Sequence, residues 1–224
     1  MASESSKSSG KSSGKSVSNN SSPGNPTDEQ MDEWMNEQEW HIANATTDFS
    51  QFMKELSDGQ QLDDVAVFTA EGEALQLASV WAEKPALILT GSMTCPPSRQ
   101  LNPAANALQE RFADQFNVVL LYVIDAHPDG DLCPYTGTDW LTKDNEEAGV
   151  RFRQPLTQDD RNSMARDYRE RLGLKVPVLV DNMDNAAWIA LGRSPNTAVL
   201  INTDGRVSHS QVWFRPEDLV TGLS

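Results

Sequence analysis

The sequence predicts an α/β domain built from a βαβ unit followed by a β-hairpin, and three stretches predict it. Two apolar runs, Ala86–Thr90 and Asn117–Ile124, have the unbroken hydrophobicity of strands buried on both faces. Between them Ala105, Leu108, Phe112 and Phe116 recur at helical spacing, so the two strands run parallel across a helix. Near the end, Thr203-Asp204-Gly205 marks a turn between Thr197–Asn202 and Arg206–Phe214, which predicts an antiparallel hairpin at one sheet edge.

In chain order, residues 1–27 are almost all Ser, Lys, Gly, Asn and Pro. Such a stretch cannot bury enough apolar surface to offset its ordering entropy and is expected to be a disordered, linker-like tail. Residues 28–58 change character: Met31, Trp34 and Met35, then Phe52, Met53 and Leu56, recur at three-to-four spacing behind an acidic start. This predicts a helical extension that packs on the domain or serves a partner. The domain proper takes residues 59–224. Val65–Phe68 and Leu75–Leu77 flank a Glu71-Gly72 turn, an extra hairpin before Pro85. Gly91–Pro97 is a loop, Asn102–Phe116 a helix and Asp125–Pro155 a long loop. Asp159–Leu172 is a helix with Met164, Tyr168 and Leu172 in register, Val178–Val180 a strand, and Ala186–Leu191 a short helix. A βαβ half followed by a hairpin half is the thioredoxin arrangement. The fold class is therefore α/β, a thioredoxin-like fold with an N-terminal helical extension and a disordered tail.

Charge and composition narrow the function classes. The net charge is −15, and the tail is basic, so the body is more acidic still. Such a surface is repelled by nucleic acid and by anionic membranes, which makes both unexpected partners. No apolar run approaches the roughly 20 residues that span a bilayer. The N-terminus lacks the apolar core of a secretory signal, so a cytoplasmic location is expected, with export after signal removal as the alternative. The two cysteines, Cys95 and Cys133, are too few for a disulfide scaffold; no C-x-x-C and no His/Cys cluster with metal-ligand spacing occurs. No bound cofactor or metal is expected.

The chemistry concentrates in Thr90-Gly-Ser-Met-Thr-Cys-Pro-Pro-Ser98, where a central strand gives way to a helix. Reactive groups collect beyond the carboxyl ends of strands in open α/β sheets. A cysteine at a helix N-terminus gains from the dipole and from free N–H groups, which favour the nucleophilic thiolate. Ser92 and Thr94 can donate hydroxyl hydrogen bonds to it, and Pro96 and Pro97 suit a first helical turn. Cys95–Ser98 is a C-x-x-S, so position 98 supplies no second thiol. Cys95 acts alone, with an external thiol reductant, or with Cys133. That second cysteine, within Asp131-Leu-Cys-Pro-Tyr135, is either a resolving thiol or an incidental loop residue. Asp125 and His127, just past a strand end, are candidates for an acid/base pair beside the thiol, or are an ordinary loop acid and a capping histidine.

Gly91-Ser-Met-Thr-Cys-Pro-Pro97 resembles the active-site motif of the iodothyronine deiodinases, with Cys95 at the selenocysteine position. Tyr122-Val-Ile-Asp-Ala-His-Pro128 resembles the family's second signature, and Leu179–Asn185 and Asn202–Val207 resemble two later stretches. The resemblance spans about residues 62–214. It implies that Cys95 attacks, that Ser92 and Thr94 tune and position it, and that Asp125 and His127 form the proton-relay and substrate-contact pair. Met93 stands where some members carry a second cysteine. Where the family grips its substrate with a His and an Arg, this sequence has Arg153-Gln154-Pro155 and Asn196-Thr197, with Arg153 and Arg193 as candidate substitutes. Thr197 occupies the place of thioredoxin's cis-proline. Such domains tend to dimerise, so a homodimer is a further expectation.

Three functions are consistent with these residues. In the first, an enzyme, the Cys95 thiolate attacks iodine on an activated aromatic ring in reductive dehalogenation. The second keeps the fold and gives a peroxiredoxin-like thiol peroxidase acting on a peroxide, with Ser92 three residues before the cysteine. The third is a non-catalytic thioredoxin-fold binding module that docks a partner through Met31, Trp34, Met35 and Trp40.

Overall fold

The computed structural model describes residues 53–223. The tail and nearly all of the predicted helical extension lie outside them. Met53–Ser57, at the end of that extension, run without helix. Lys54 N–H bonds the Gly192 carbonyl and Leu56 N–H bonds the Ser210 hydroxyl, laying this segment on the domain.

The strands are β1 (Ala66–Thr69), β2 (Ala74–Gln76), β3 (Ala86–Gly91), β4 (Asn117–Tyr122), β5 (Val178–Asp181), β6 (Ala198–Ile201) and β7 (Val207–Gln211). The helices are α1 (Pro96–Leu101), α2 (Ala104–Phe112), α3 (Lys143–Glu147), α4 (Gln158–Leu172), α5 (Ala186–Ala190) and α6 (Pro216–Leu223). The strands form one sheet in the order β2-β1-β5-β4-β3-β6-β7. The central β3 is parallel to β4, β4 is parallel to β5, and β6 and β1 close against this trio antiparallel.

Alternation along the strands builds a core on each face of the sheet. Ile88, Val119, Leu121, Val199 and Ile201 point to one face, where Leu56, Trp81, Trp188 and Leu191 cover them. Leu87, Leu89, Val118, Leu120 and Leu200 point to the other, under Leu108 and Phe112 of α2, Ala165 and Tyr168 of α4 and Leu219 of α6. The β3 run is buried at every position, as its composition requires.

The predicted helix Asn102–Phe116 is the shorter α2, and a separate helix that was not expected, α1, precedes it. The chain turns helical as soon as Pro96 and Pro97 supply a first turn, which uses no N–H donors. It then breaks at Asn102-Pro103, because Pro103 has no N–H for the carbonyl four residues back. Helix α4 carries clearer signals. Thr157 and Asp160 close a capping box, and Gly173 ends the helix in the left-handed conformation at φ 60°. The long loop contains α3, capped where the Thr142 hydroxyl accepts from Asn145 N–H. The final helix α6 also goes beyond the sequence expectation.

Candidate active site

Strand β3 ends at Gly91, and the next four residues turn the chain into α1 with Cys95 as its N-cap. The turn leaves no room for a side chain at Gly91: a Cβ there would lie 2.3 Å from Asn102 Nδ2 and 2.7 Å from the Tyr168 hydroxyl. Thr197, in the cis-proline position, has a trans peptide like every described residue. It clasps the strand end instead, since Thr197 N–H donates to Thr90 Oγ1 at 2.8 Å and Thr90 N–H donates to the Thr197 carbonyl at 3.0 Å.

Cys95 is 1% exposed. Burial pushes its thiol up from the ordinary value, against the Ser98 hydroxyl and N–H and the Arg99 guanidinium, which pull it down. The expectation that the turn lowers this pKa is therefore corrected: the helix N-terminus is present, but exclusion of water outweighs it. The hydroxyl beside the sulfur is also not one of the expected two. Thr94 Oγ1 donates to Asp125 Oδ1 at 2.9 Å and accepts from His127 N–H at 3.0 Å, and Ser92 Oγ accepts from Ala126 N–H at 3.4 Å. Both Ser92 and Thr94 thus tie the cysteine turn to the end of β4, and the hydroxyl that draws the thiol down is that of Ser98, which donates to the Pro195 carbonyl at 3.0 Å.

Asp125 lies at the centre of this tie. Its Oδ1 accepts from Thr94 N–H as well as from the hydroxyl, and its Oδ2 accepts from the Tyr122 hydroxyl at 2.8 Å. The Tyr122 hydroxyl in turn accepts from Met93 N–H at 3.1 Å. The carboxyl is fully buried, and desolvation raises its pKa despite three donors that favour the charged form. His127 joins the network through its backbone, its N–H donating to Thr94 Oγ1 and its carbonyl lying 3.5 Å from Asn145 Nδ2. Its imidazole turns toward Trp140, ring centroids 4.4 Å apart at 82°, and its Nδ1 is buried without a hydrogen-bond partner. Desolvation holds this imidazole down to about 4, helped by the Arg99 charge and opposed by the Trp140 backbone, so the ring is neutral at pH 7. Asp125 and His127 therefore share Thr94 as a neighbour without contact between carboxylate and ring.

Cys133 is buried in the same cluster as Cys95, and burial raises its thiol too. Tyr135 is buried in the same cluster, its phenol pushed up by burial and by both thiols, and its hydroxyl accepts from Trp188 Nε1 and donates to the Arg193 carbonyl. Both cysteines are free thiols.

Arg99 and Asn145 of this centre were missed by sequence reasoning. Arg99, four residues past Cys95 on α1, donates to the Met93 carbonyl at 2.7 Å and to Asn145 Oδ1 at 2.8 Å. Asn145 Nδ2 donates to the Thr94 carbonyl at 2.8 Å, so α3 is clamped onto the cysteine turn. The i, i+4 spacing of Cys95 and Arg99 was a legible signal; nothing local to Asn145 pointed at the site. The candidate substitute Arg153 is committed elsewhere, in a two-pronged pair with Asp131 at 3.1 and 2.6 Å. Arg193, at φ 61°, ends the α5 turn. No cluster among the described residues has the composition of a metal site, and no described helix is long and apolar enough to cross a membrane.

A family model described as iodothyronine deiodinase matches residues 25–210. Type II iodothyronine deiodinase of Mus musculus is 29% identical over 155 residues, covering 68% of this chain and 50% of that protein. The Rattus norvegicus protein of the same name is 32% identical over 126 residues, covering 55% and 43%. The chain spans about half the length of the curated relatives it matches. Among solved structures, the thioredoxin domain of a thiol-disulfide oxidoreductase from Bacteroides vulgatus superposes with a TM-score of 0.50 at 12% identity. It covers 75% of this chain and 96% of that one, a likeness of fold.

Proposed function

The chain belongs to the iodothyronine deiodinase family, and from that premise we propose that it is a thiol-dependent reductive dehalogenase whose nucleophile is Cys95. The observation that carries this reading is the water-excluded carboxyl group of Asp125, held by Tyr122 and by Thr94, the residue before the buried Cys95.

The reaction exchanges an aryl iodide and a thiol for an arene and a sulfenyl iodide. Cys95 Sγ bonds to iodine as the carbon–iodine bond breaks, and the electron pair of that bond stays on the ring carbon, which takes a proton. The sulfur is oxidised by two electrons and the ring is reduced. A thiol that keeps its proton until substrate arrives supplies the proton the carbon needs, so a raised Cys95 pKa suits the stoichiometry. Asp125 holds the cysteine turn through Thr94 while the thiol gives up its proton, and the neutral His127, its Nδ1 without a hydrogen-bond partner, is the acid/base group that carries that proton to the ring carbon. An external thiol then attacks the sulfenyl sulfur, iodide leaves and a disulfide forms; a second thiol frees Cys95. Cys133 is the internal alternative to the first of these thiols.

A thiol peroxidase is the second reading. It is favoured by Arg99, whose charge draws Cys95 toward thiolate, and opposed by the burial that resists ionisation. Both are tested together by iodide release from thyroxine and from simple iodophenols under excess dithiothreitol, with Cys95→Ser as control. The expected result is iodide release that the substitution abolishes. Absence of release, with hydrogen peroxide consumed rapidly in a Cys95-dependent way, overturns the dehalogenase reading in favour of the peroxidase.

A further inference from the structure

Trp140, Ile189 and Trp213 are the large hydrophobic side chains left exposed among the described residues. Trp140 alone of these stands against the candidate site, packed edge to face with His127 while 42% of it remains open to solvent. Its placement is fixed from both sides. Asp139, just before it, bridges Leu132, and Thr142, two residues on, caps the helix whose Asn145 is bonded to the Thr94 carbonyl. An indole kept in the open, anchored at both ends and turned to the one imidazole of the site, is a ready wall for another aromatic ring, because aromatic pairs attract beyond simple area burial.

We propose that Trp140 is the residue that selects an aromatic substrate at this site, the substrate's ring packing on its exposed indole, and that the same side chain positions the His127 ring. The first half rests on the dehalogenase reading; the second concerns the free protein. The charged group facing His127 is Arg99 of α1, while Asp125 is turned to Thr94 and Tyr122, and the insertion contributes the neutral Trp140 and Asn145. Removing the indole opens His127 to water and leaves the Arg99 charge in place. His127, now held at about 4, should then titrate nearer its ordinary value.

The test compares Trp140→Ala and Trp140→Phe in the full chain, with far-UV circular dichroism to establish folding. With 4-iodophenol as probe, Trp140→Ala is expected to raise KM by about three- to tenfold, the weight of one aromatic pair, with a smaller change in kcat. The imidazole signal of His127, assigned with His127→Asn, is expected to move up in pH in Trp140→Ala and to stay near its original position in Trp140→Phe. A folded Trp140→Ala protein with unchanged KM and an unchanged His127 titration overturns the proposal. Should the wild type release no iodide, binding decides. Chemical-shift changes on adding 4-iodophenol to Cys95→Ser that vanish in Cys95→Ser/Trp140→Ala uphold the role of Trp140 while the dehalogenase reading falls. Iodophenol binding that is indifferent to Trp140, or absent, overturns the role itself.

Discussion

Replacing Asn145 by alanine removes the clamp between α3 and the cysteine turn, and its size follows from the bonds it makes. The Thr94 carbonyl loses a buried donor at 2.8 Å, a bond worth about 1 kcal/mol net, and Arg99 loses an acceptor at 2.8 Å, a charged bond worth about 1.5–3 kcal/mol. The 3.5 Å approach to the His127 carbonyl is too long to add much. Alanine is the better helix former by about 0.5 kcal/mol. The expected loss is therefore roughly 2–3.5 kcal/mol, or a fall in Tm of about 4–14 °C for a chain of this size. Denaturant unfolding followed by tryptophan fluorescence measures it, with Lys143→Ala on the exposed side of the same helix as a control expected to change stability by under about 0.5 kcal/mol. A loss below about 1 kcal/mol for Asn145→Ala would mean that these two bonds do not hold the insertion, and the account of the clamp would be wrong.

Gly91→Ala should destabilise the fold by about 2–3 kcal/mol, since its Cβ must push aside Asn102 and Tyr168, which are bonded to each other at 3.0 Å; an unfolding midpoint equal to wild type refutes the crowding. In a Cys133→Ser background, alkylation of Cys95 by iodoacetamide should climb about tenfold per pH unit through neutrality without levelling off below pH 9. The sign follows from burial, which disfavours the thiolate and keeps the proton on sulfur as pH rises. A plateau reached below pH 7 contradicts it.

The sheet was legible because its signals are local and periodic. Ala86–Thr90 and Asn117–Ile124 read as doubly buried strands from composition alone, and Asp204-Gly205 places the hairpin turn. The break at Pro103 was equally visible in the residue type, yet the apolar spacing from Ala105 to Phe116 concealed where the helix starts and stops. At the site, position along the chain found Cys95 but misjudged its ionisation. Dipole and hydroxyl arguments are local, whereas burial comes from Tyr135, Trp188 and other side chains distant in sequence. Likewise Asp125 was found from its strand end, but its partner Tyr122 was not separated from a core tyrosine, because an inward-facing tyrosine on a buried strand reads as packing. Asn145 and Trp140 come from a stretch without periodicity, and only its folding back onto the cysteine turn gives them meaning.

The insertion between β4 and α4 leaves and rejoins the platform at almost one point. Asp125 N–H donates to Gln154 Oε1 at 3.2 Å, and Gln154 Nε2 donates to the Asp125 carbonyl at 2.7 Å. A neck drawn shut in this way makes the intervening chain an exchangeable cassette. Loop-closure entropy rises by only about 0.6 kcal/mol for each doubling of length, so the exposed stretches between the anchors Cys133, Tyr135 and Asn145 can change length with little strain on the sheet. On the proposed reading, chemistry held at the neck, by Asp125 and the cysteine turn, and a ligand preference set inside it, by Trp140, would be free to change separately.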